Sequence, residues 1–368
     1  MKAKRIGLIA AIILFAVYFF LASRPIPPET VIIPSWLNSV ESGIPITLNG
    51  VQDQGGKEEH IPFNLGNRFG YISRNGHFTV NRIKQANISL SQDCWAEYEA
   101  EPDSIEIKDS DGEIITRIEN PRAYPFFLDN RIFLISSEQN AISAIDHSGS
   151  AEWTYEFAGP LTCVDAAAGL VLTGALDGVV GLLDSNGKLV FSFEPGGSRY
   201  PVILGCTLSR NGTQMAIIAG IDEQRFLMLE RFGSGNYEFK VIYHEFLDNG
   251  FRRPVYISFI EDDRWVVFER GGGLGFYDIG SRQAGKVSLN GDISAIDCSG
   301  GQGIVFAVIS RPTVYGWSDA KELIGIRLPN KVIIESPFKS EDVFIARMDS
   351  RLIVGGGQIL AAFDLEKR

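Results

Sequence analysis

Beyond about residue 60 the chain is a succession of short runs in which Val, Ile, Leu and Phe alternate with small or polar residues. A period of two marks strands with one face buried. The pattern predicts strands at 69–73, 104–108, 141–146, 179–184, 225–230, 274–278, 313–317 and 359–364. No segment after residue 24 keeps a helical period over a dozen residues. Tight turns punctuate the runs. Asn75-Gly76, Asp111-Gly112, Ser148-Gly149 and Asn186-Gly187 follow at steps of 36, 37 and 38 residues, each joining two alternating runs. Asn-Gly and Asp-Gly tolerate the positive φ that a short hairpin turn requires.

A hairpin repeated at a period of about 40 residues points to an array of equivalent units. Four antiparallel strands per unit make a propeller blade, so the expected fold is an all-β β-propeller. Aligning the turns makes 70–82 a third and fourth strand and yields eight blades. A rival alignment matches IPFNLGNRFGYIS (61–73) to YPFFLDNRIFLIS (124–136), which makes 61–73 a first and second strand and leaves seven as the alternative count. The two alignments exclude each other. QILAAFDLEKR falls at a third-strand position, so the last blade is expected to take its outer strand from residues 30–50, through TVIIP or PITL. That borrowing would cover an open sheet edge. The fifth unit departs most from the repeat length, with insertions at GSGNYEFK and HEFLDNGFRRP.

The N-terminus follows a different pattern. Lys2, Lys4 and Arg5 precede an uncharged run from Ile6 to Ala22. At about 1.5 Å per residue its length is roughly 26 Å, enough to cross a bilayer core. Cations before the span, with only Arg24 after it, predict a single-pass transmembrane helix with its N-terminus in the cytoplasm. Leu21-Ala22-Ser23 matches an Ala-x-Ala cleavage site poorly, so an uncleaved anchor is favoured over a cleaved signal peptide. The expected organisation is an anchor over 1–24, a spacer over 25–60 carrying Pro25, Pro27, Pro28 and Pro34, and a propeller over 61–368. The anchor sits in the cytoplasmic (inner) membrane and the propeller on its periplasmic, extracytoplasmic side. Four of the 34 basic residues and none of the 45 acidic ones lie in 1–24, so the remainder carries a formal charge of −15. Phosphate binding needs a basic surface, which argues against a nucleic-acid partner.

Cys94, Cys163, Cys206 and Cys298 have no metal-type spacing. LTCVD, LGCTL and AIDCS look like first strands of blades, which line the central channel, so Cys163, Cys206 and Cys298 are expected as small buried groups. A bridge between Cys163 and Cys206 on adjacent blades is the alternative in an oxidising compartment.

AISAIDHSGSAEWTYEF (141–157) resembles the repeat of the pyrroloquinoline-quinone (PQQ)-like propeller superfamily. In that repeat Ala, Asp, Gly and Trp fall at the third-strand end, the turn and the fourth strand; here they are Ala144, Asp146, Gly149 and Trp153, with a turn one residue shorter. Asp184, Gly187 and Phe191, and Asp109 with Gly112, repeat the pattern without the Trp. The resemblance covers about 70–200, extends by period alone beyond that, and touches WD40-like propellers. It implies either a quinoprotein dehydrogenase or a non-enzymatic scaffold such as the propeller lipoprotein of the outer-membrane β-barrel assembly machinery. Fold alone does not choose between them.

The residues favour the scaffold. Many quinoproteins place a vicinal disulfide against the cofactor and hold Ca²⁺ with carboxylates, but this chain has no adjacent cysteines. Asp109-x-Asp111-Gly112 suggests a calcium loop, yet with Gly112 at the loop glycine the first and last ligand positions become Ile107 and Ile118, which cannot ligate. A hairpin turn explains it better. Gly271-Gly272-Gly273 precedes a strand rather than a helix, so it offers no phosphate a helix N-terminus. His60, His77, His147 and His244 are scattered. No cofactor, metal or catalytic set is therefore expected. Two segments are candidates for binding a protein partner. Phe251, Arg252 and Arg253 combine hot-spot residue types on the irregular blade-five insertion. Glu97, Glu99 and Glu101, followed by Asp103, alternate in WAEYEAEPD and are expected on one open strand face. The expected function is a non-catalytic interaction scaffold in envelope or outer-membrane assembly. A channel-based quinoprotein-like enzyme or small-ligand sensor is the alternative.

Overall fold

The structure, a computed structural model, describes Phe15, Tyr18, residues 29–48 and residues 59–367 apart from 234, 236, 249, 300, 302 and 312–319. Residues 34–364 form one compact unit, and residues 1–33 with 365–368 form a second, small one. The anchor expected over 6–22 lies outside the described residues except for Phe15 and Tyr18, which have helical backbone and exposed side chains. Among the described residues no helix is long and apolar enough to cross a membrane.

Eight antiparallel sheets account for the described strands, so the fold is the expected eight-bladed propeller. Blade 4 shows the pattern: Leu161–Ala167, Leu170–Ala175, Val180–Leu183 and Leu189–Phe193, in that order from the channel outward. Blades 2, 3, 5, 6 and 7 repeat it over 87–119, 123–156, 203–246, 257–288 and 292–339. The second strand of blade 4 is buried along its length because a neighbouring blade packs on each of its faces. Leu170–Ala175 is buried at all six positions. Outer strands alternate instead, as in Ile114–Glu119, where Thr116 and Ile118 alone are buried.

Blade 8 closes as expected. Val343–Met348, Arg351–Gly356 and Ile359–Lys367 take Thr30–Ser39 as their fourth strand, and Ile46–Thr47 adds a short fifth. Both TVIIP and PITL are thus used. Val40 N donates to Gln358 O at 2.9 Å at the end of the borrowed strand.

Blade 1 has three described strands, His60–Leu65, Arg68–Ser73 and Phe78–Ile83. Two tryptophans settle their positions. Trp153, on the fourth strand of blade 3, covers turn glycine Gly187 of blade 4 and donates from Nε1 to Ser185 O at 2.9 Å. Trp36, on the borrowed fourth strand of blade 8, covers Gly76 and donates to Arg74 O at the same distance. Asn75-Gly76 is therefore a third-to-fourth-strand turn. The register agrees: the ladder slips at Tyr71/Ile72 as it does at Ile107/Lys108, Ala144/Ile145 and Leu182/Leu183 of the next three blades. His60–Leu65 is a second strand, and no described residue fills the innermost place. The rival alignment fails because 124–136 does belong to a first-and-second-strand hairpin, Ala123–Leu128 with Arg131–Ser136. Its likeness to 61–73 reflects shared turn chemistry. Each hairpin needs positive φ at its two-residue loop, supplied by Gly66 at +57° in one and by Asp129 and Asn130 at +49° and +55° in the other.

One further strand expectation fails. The segment 313–317 lies outside the described residues, and the third strand of blade 7 is Ala320–Arg327.

Candidate recognition face

Strands alternate in direction, so each blade puts its 1–2 and 3–4 hairpins on one face, called lower here. Its 2–3 hairpin and the link to the next blade lie on the upper face. A cavity of about 630 Å³ opens at the channel mouth on the upper face. The first strands of blades 2, 3 and 4 contribute Ser89, Tyr124, Phe126, Thr162 and Cys163 to it, joined by Tyr98 at the end of the second strand of blade 2 and by Pro254 from the link between blades 5 and 6. Tyr98 and Tyr124 meet at a ring separation of 5.9 Å. The lining offers aromatic faces, hydroxyls and a thiol, with no carboxylate or cationic side chain.

Both sequence-nominated segments stand on this upper face. Phe251, Arg252 and Arg253 lie in the link from blade 5 to blade 6, next to Pro254. Phe251 is half-buried against the cluster containing Val202, Phe226, Phe268 and Tyr277. Gln224 clamps its backbone, donating to Phe251 O at 3.1 Å and accepting from Phe251 N at 3.2 Å. Arg253 makes a two-pronged pair with buried Glu269, at 3.0 and 2.5 Å, and stacks on Phe251 at 4.5 Å. That carboxylate raises the guanidinium above its ordinary pKa. Arg253 and Phe251 therefore hold the loop down, while Arg252 is exposed.

The acidic segment needs a correction. Its strand, Cys94–Tyr98, ends before Glu99, so the alternating face does not continue. Pro102 has no N–H to offer a ladder, and residues 99–103 form the 2–3 hairpin of blade 2 instead. Glu97 turns inward and accepts from Gln85 N at 2.7 Å and Ala86 N at 3.3 Å, fixing the link from blade 1. Glu99, Glu101 and Asp103 are exposed in the hairpin.

The lower face carries a second recess, about 580 Å³, between blades 2 and 3. Asp93, Asp129, Asp146, His147 and Glu152 border it, with Arg131 paired to Glu152 at 3.3 Å and stacked on Phe133 and Trp153.

The turn carboxylates serve the fold. Asp109 Oδ1 accepts from Asp111 N at 3.0 Å and Glu113 N at 2.9 Å. Asp146 and Asp184 repeat this with Ser148 and Ser150, and with Asn186 and Lys188. The turn hydrogen bonds hold Asp146 below the ordinary carboxylate range. The shared residue is thus an Asp three places before the glycine, a spacing visible in the sequence. Among the described residues no group of three His, Cys, Asp or Glu could hold a metal ion. Gly272 and Gly273 stand at +77° and +152° in a 2–3 hairpin, which accounts for the glycine run without a phosphate.

Sequence reasoning missed Asp165, on the first strand of blade 4. Its Oδ2 accepts from Thr207 Oγ1 and Leu208 N of blade 5, each at 2.8 Å, and so ties the two blades. Burial pushes its pKa up despite these bonds. Asp297 occupies the matching place in blade 7, accepts from Ser299 and faces Arg347 of blade 8; burial raises it too.

Among proteins of known sequence, an "Uncharacterized protein" of Treponema pallidum (strain Nichols) is 27% identical over 285 residues, covering 75% of this chain and 73% of its own. Among solved structures, BamB from Moraxella catarrhalis aligns with 12% identity and a TM-score of 0.43 over 76% of this chain and 96% of its own. A chain of the Mitotic Checkpoint Complex aligns with 10% identity and a TM-score of 0.53 over 87% and 96%. At 10% identity this second likeness speaks to the fold alone. A family model described as "beta-propeller protein" matches residues 1–367. The chain belongs to this beta-propeller protein family.

Proposed function

We propose that the protein is a non-catalytic interaction scaffold, held at the cytoplasmic membrane by residues 6–22, which binds a partner protein with its upper face. One observation carries the reading. The exposed acidic hairpin of Glu99 and Glu101 and the exposed Arg252 stand on the same face, beside one cavity, on loops pinned to a rigid framework. Loops fixed by a scaffold are where partners are recognised. The membrane placement rests on the N-terminal sequence, and the setting in envelope assembly on the resemblance of 141–157 to the PQQ-like propeller repeat.

The test is co-purification from solubilised membranes with the full-length chain and two variants, Arg252→Glu and Glu99→Lys/Glu101→Lys. Each is expected to lose the partner and keep the parental Tm. Retention of the same partner by both variants would remove the upper face from consideration. A second reading, a small ligand in the channel mouth, is favoured by the cavity's volume and its phenol and hydroxyl lining, which suit an uncharged aromatic compound. Such a ligand at 100 times its Kd would stabilise the fold by about 2.7 kcal/mol, which a melting screen detects.

A further inference from the structure

We propose that Cys163 and Cys206 are a redox pair, converted to a disulfide across blades 4 and 5 by a small disulfide oxidant that enters through the channel mouth. The inference is independent of the scaffold reading. Both cysteines lie on first strands, Leu161–Ala167 and Ile203–Leu208, which run side by side around the channel. The strands are tethered on both sides of the sulfurs. Thr162 Oγ1 donates to Ile203 O at 2.5 Å at one end, and Asp165 accepts from Thr207 and Leu208 at the other. Between these tethers Cys163 packs against the core cluster that contains Cys206. The neighbouring thiol and burial raise the Cys206 thiol well above its ordinary pKa. Both are free thiols.

Their surroundings differ in a way that suits stepwise exchange. Cys163 is half-buried and lines the upper cavity, whereas Cys206 is buried behind it. Gly174, on the neighbouring second strand, leaves room for the outer sulfur: a Cβ there would come within 2.6 Å of Cys163 Sγ. The outer thiol therefore meets an incoming oxidant first, and the inner one is placed to resolve the mixed species.

The chemistry balances with a low-molecular-weight disulfide as the oxidant. The Cys163 thiolate attacks one sulfur of the reagent, forming a protein–reagent mixed disulfide and expelling the first reagent thiolate, which takes up the proton Cys163 lost. Cys206, on losing its proton, attacks the Cys163 sulfur and expels the second reagent thiolate, which takes up that proton. The protein loses two electrons and two protons, and the reagent becomes two thiols. The bond formed would close a long loop of the unfolded chain, and this raises stability.

The experiment uses the full-length protein and oxidised glutathione. After incubation, the free thiols are alkylated, the protein is unfolded in the presence of more alkylating reagent, and peptides are mapped by mass spectrometry. The expected product is about 2 Da lighter than the reduced protein, with Cys163 and Cys206 both protected, Cys94 and Cys298 both alkylated, and a Tm raised by several degrees. A reducing agent should reverse all of it. Cys206→Ser should stop at the mixed disulfide on Cys163, a gain of one glutathione. Cys163→Ser should gain nothing at Cys206. Wild-type protein that keeps all four thiols alkylatable, or that accumulates glutathione on Cys163 without losing the Cys206 thiol, overturns the proposal without need of either variant.

Discussion

At the scale of single residues, the propeller is held by a few groups whose backbone or charge state is unusual. Gly76 is at φ +84°, and an added Cβ would meet the Trp36 ring at 2.8 Å. A Gly76→Ala chain must therefore bear a left-handed backbone and displace a packed indole, at a combined cost of roughly 2–4 kcal/mol. Chemical denaturation would check this, with Gly357→Ala as the control. Gly357 also has positive φ, at +60°, but has open space around it, so it should lose only the backbone part. Asp165 supports a prediction in pH. Burial raises its pKa in the folded chain, so the folded state binds its proton more tightly than the unfolded state does. Its contribution is complete below the ordinary aspartate range and is lost as pH rises through the raised folded value. The Tm of the parent minus that of Asp165→Asn should thus become more positive as pH is lowered through that window. A difference that stays flat, or falls, would mean the carboxylate is not desolvated.

At the scale of elements, the borrowed strand and the blade-five link make different demands. Trp36 and Val40 are each only 2% exposed, packed with Phe63, Ile72 and Leu360 in the core that joins blade 8 to blade 1. Trp36→Ala should cost about 3–5 kcal/mol by opening a cavity there. Removing 25–48 should cost more, because the edge of Ile359–Lys367 is then uncovered as well. In the link, Arg253→Glu sets a carboxylate against buried Glu269 and should lower Tm by itself, whereas Arg252→Glu should not. Much of this was legible in sequence. Alternation placed seven of the eight anticipated third strands, and the turn spacing fixed the first four of them, because a two-residue hairpin forces its own chemistry on the chain. Borrowing of 30–50 followed from an unpaired edge. The seam Asp165 was invisible because nothing near it in sequence hints that its partners lie about forty residues ahead. Glu97 was misjudged for a related reason: alternation says which face a side chain takes, not whether two backbone N–H groups wait there. Cys163 and Cys206 were legible as neighbours only from their similar places on the first strands of adjacent blades, and the sequence favoured buried thiols over a bridge.

At the scale of the whole molecule, the proposal joins a rigid ring to a membrane, and the two parts can be tested apart. Among the described residues, the ring's core clusters draw only on positions within 34–364. The candidate span consists of 17 uncharged residues with three cations before them. If residues 6–22 anchor the chain with its N-terminus inside, full-length protein should stay in the membrane pellet through a carbonate wash. Protease added outside permeabilised outer membranes should then remove the exported part and leave a short protected N-terminal fragment. Moving the charge should move the topology. Replacing Lys2, Lys4 and Arg5 by neutral residues and adding two lysines after Arg24 weakens or inverts the cation bias, and an appreciable fraction of chains should become resistant to external protease. The propeller's own Tm should not change, since no described core residue comes from that segment. A soluble exported form starting near residue 24 would instead identify the run as a cleaved signal. It would leave the scaffold free in the periplasm, and the acidic surface of residues 25–368, at −15, would then be what keeps it soluble.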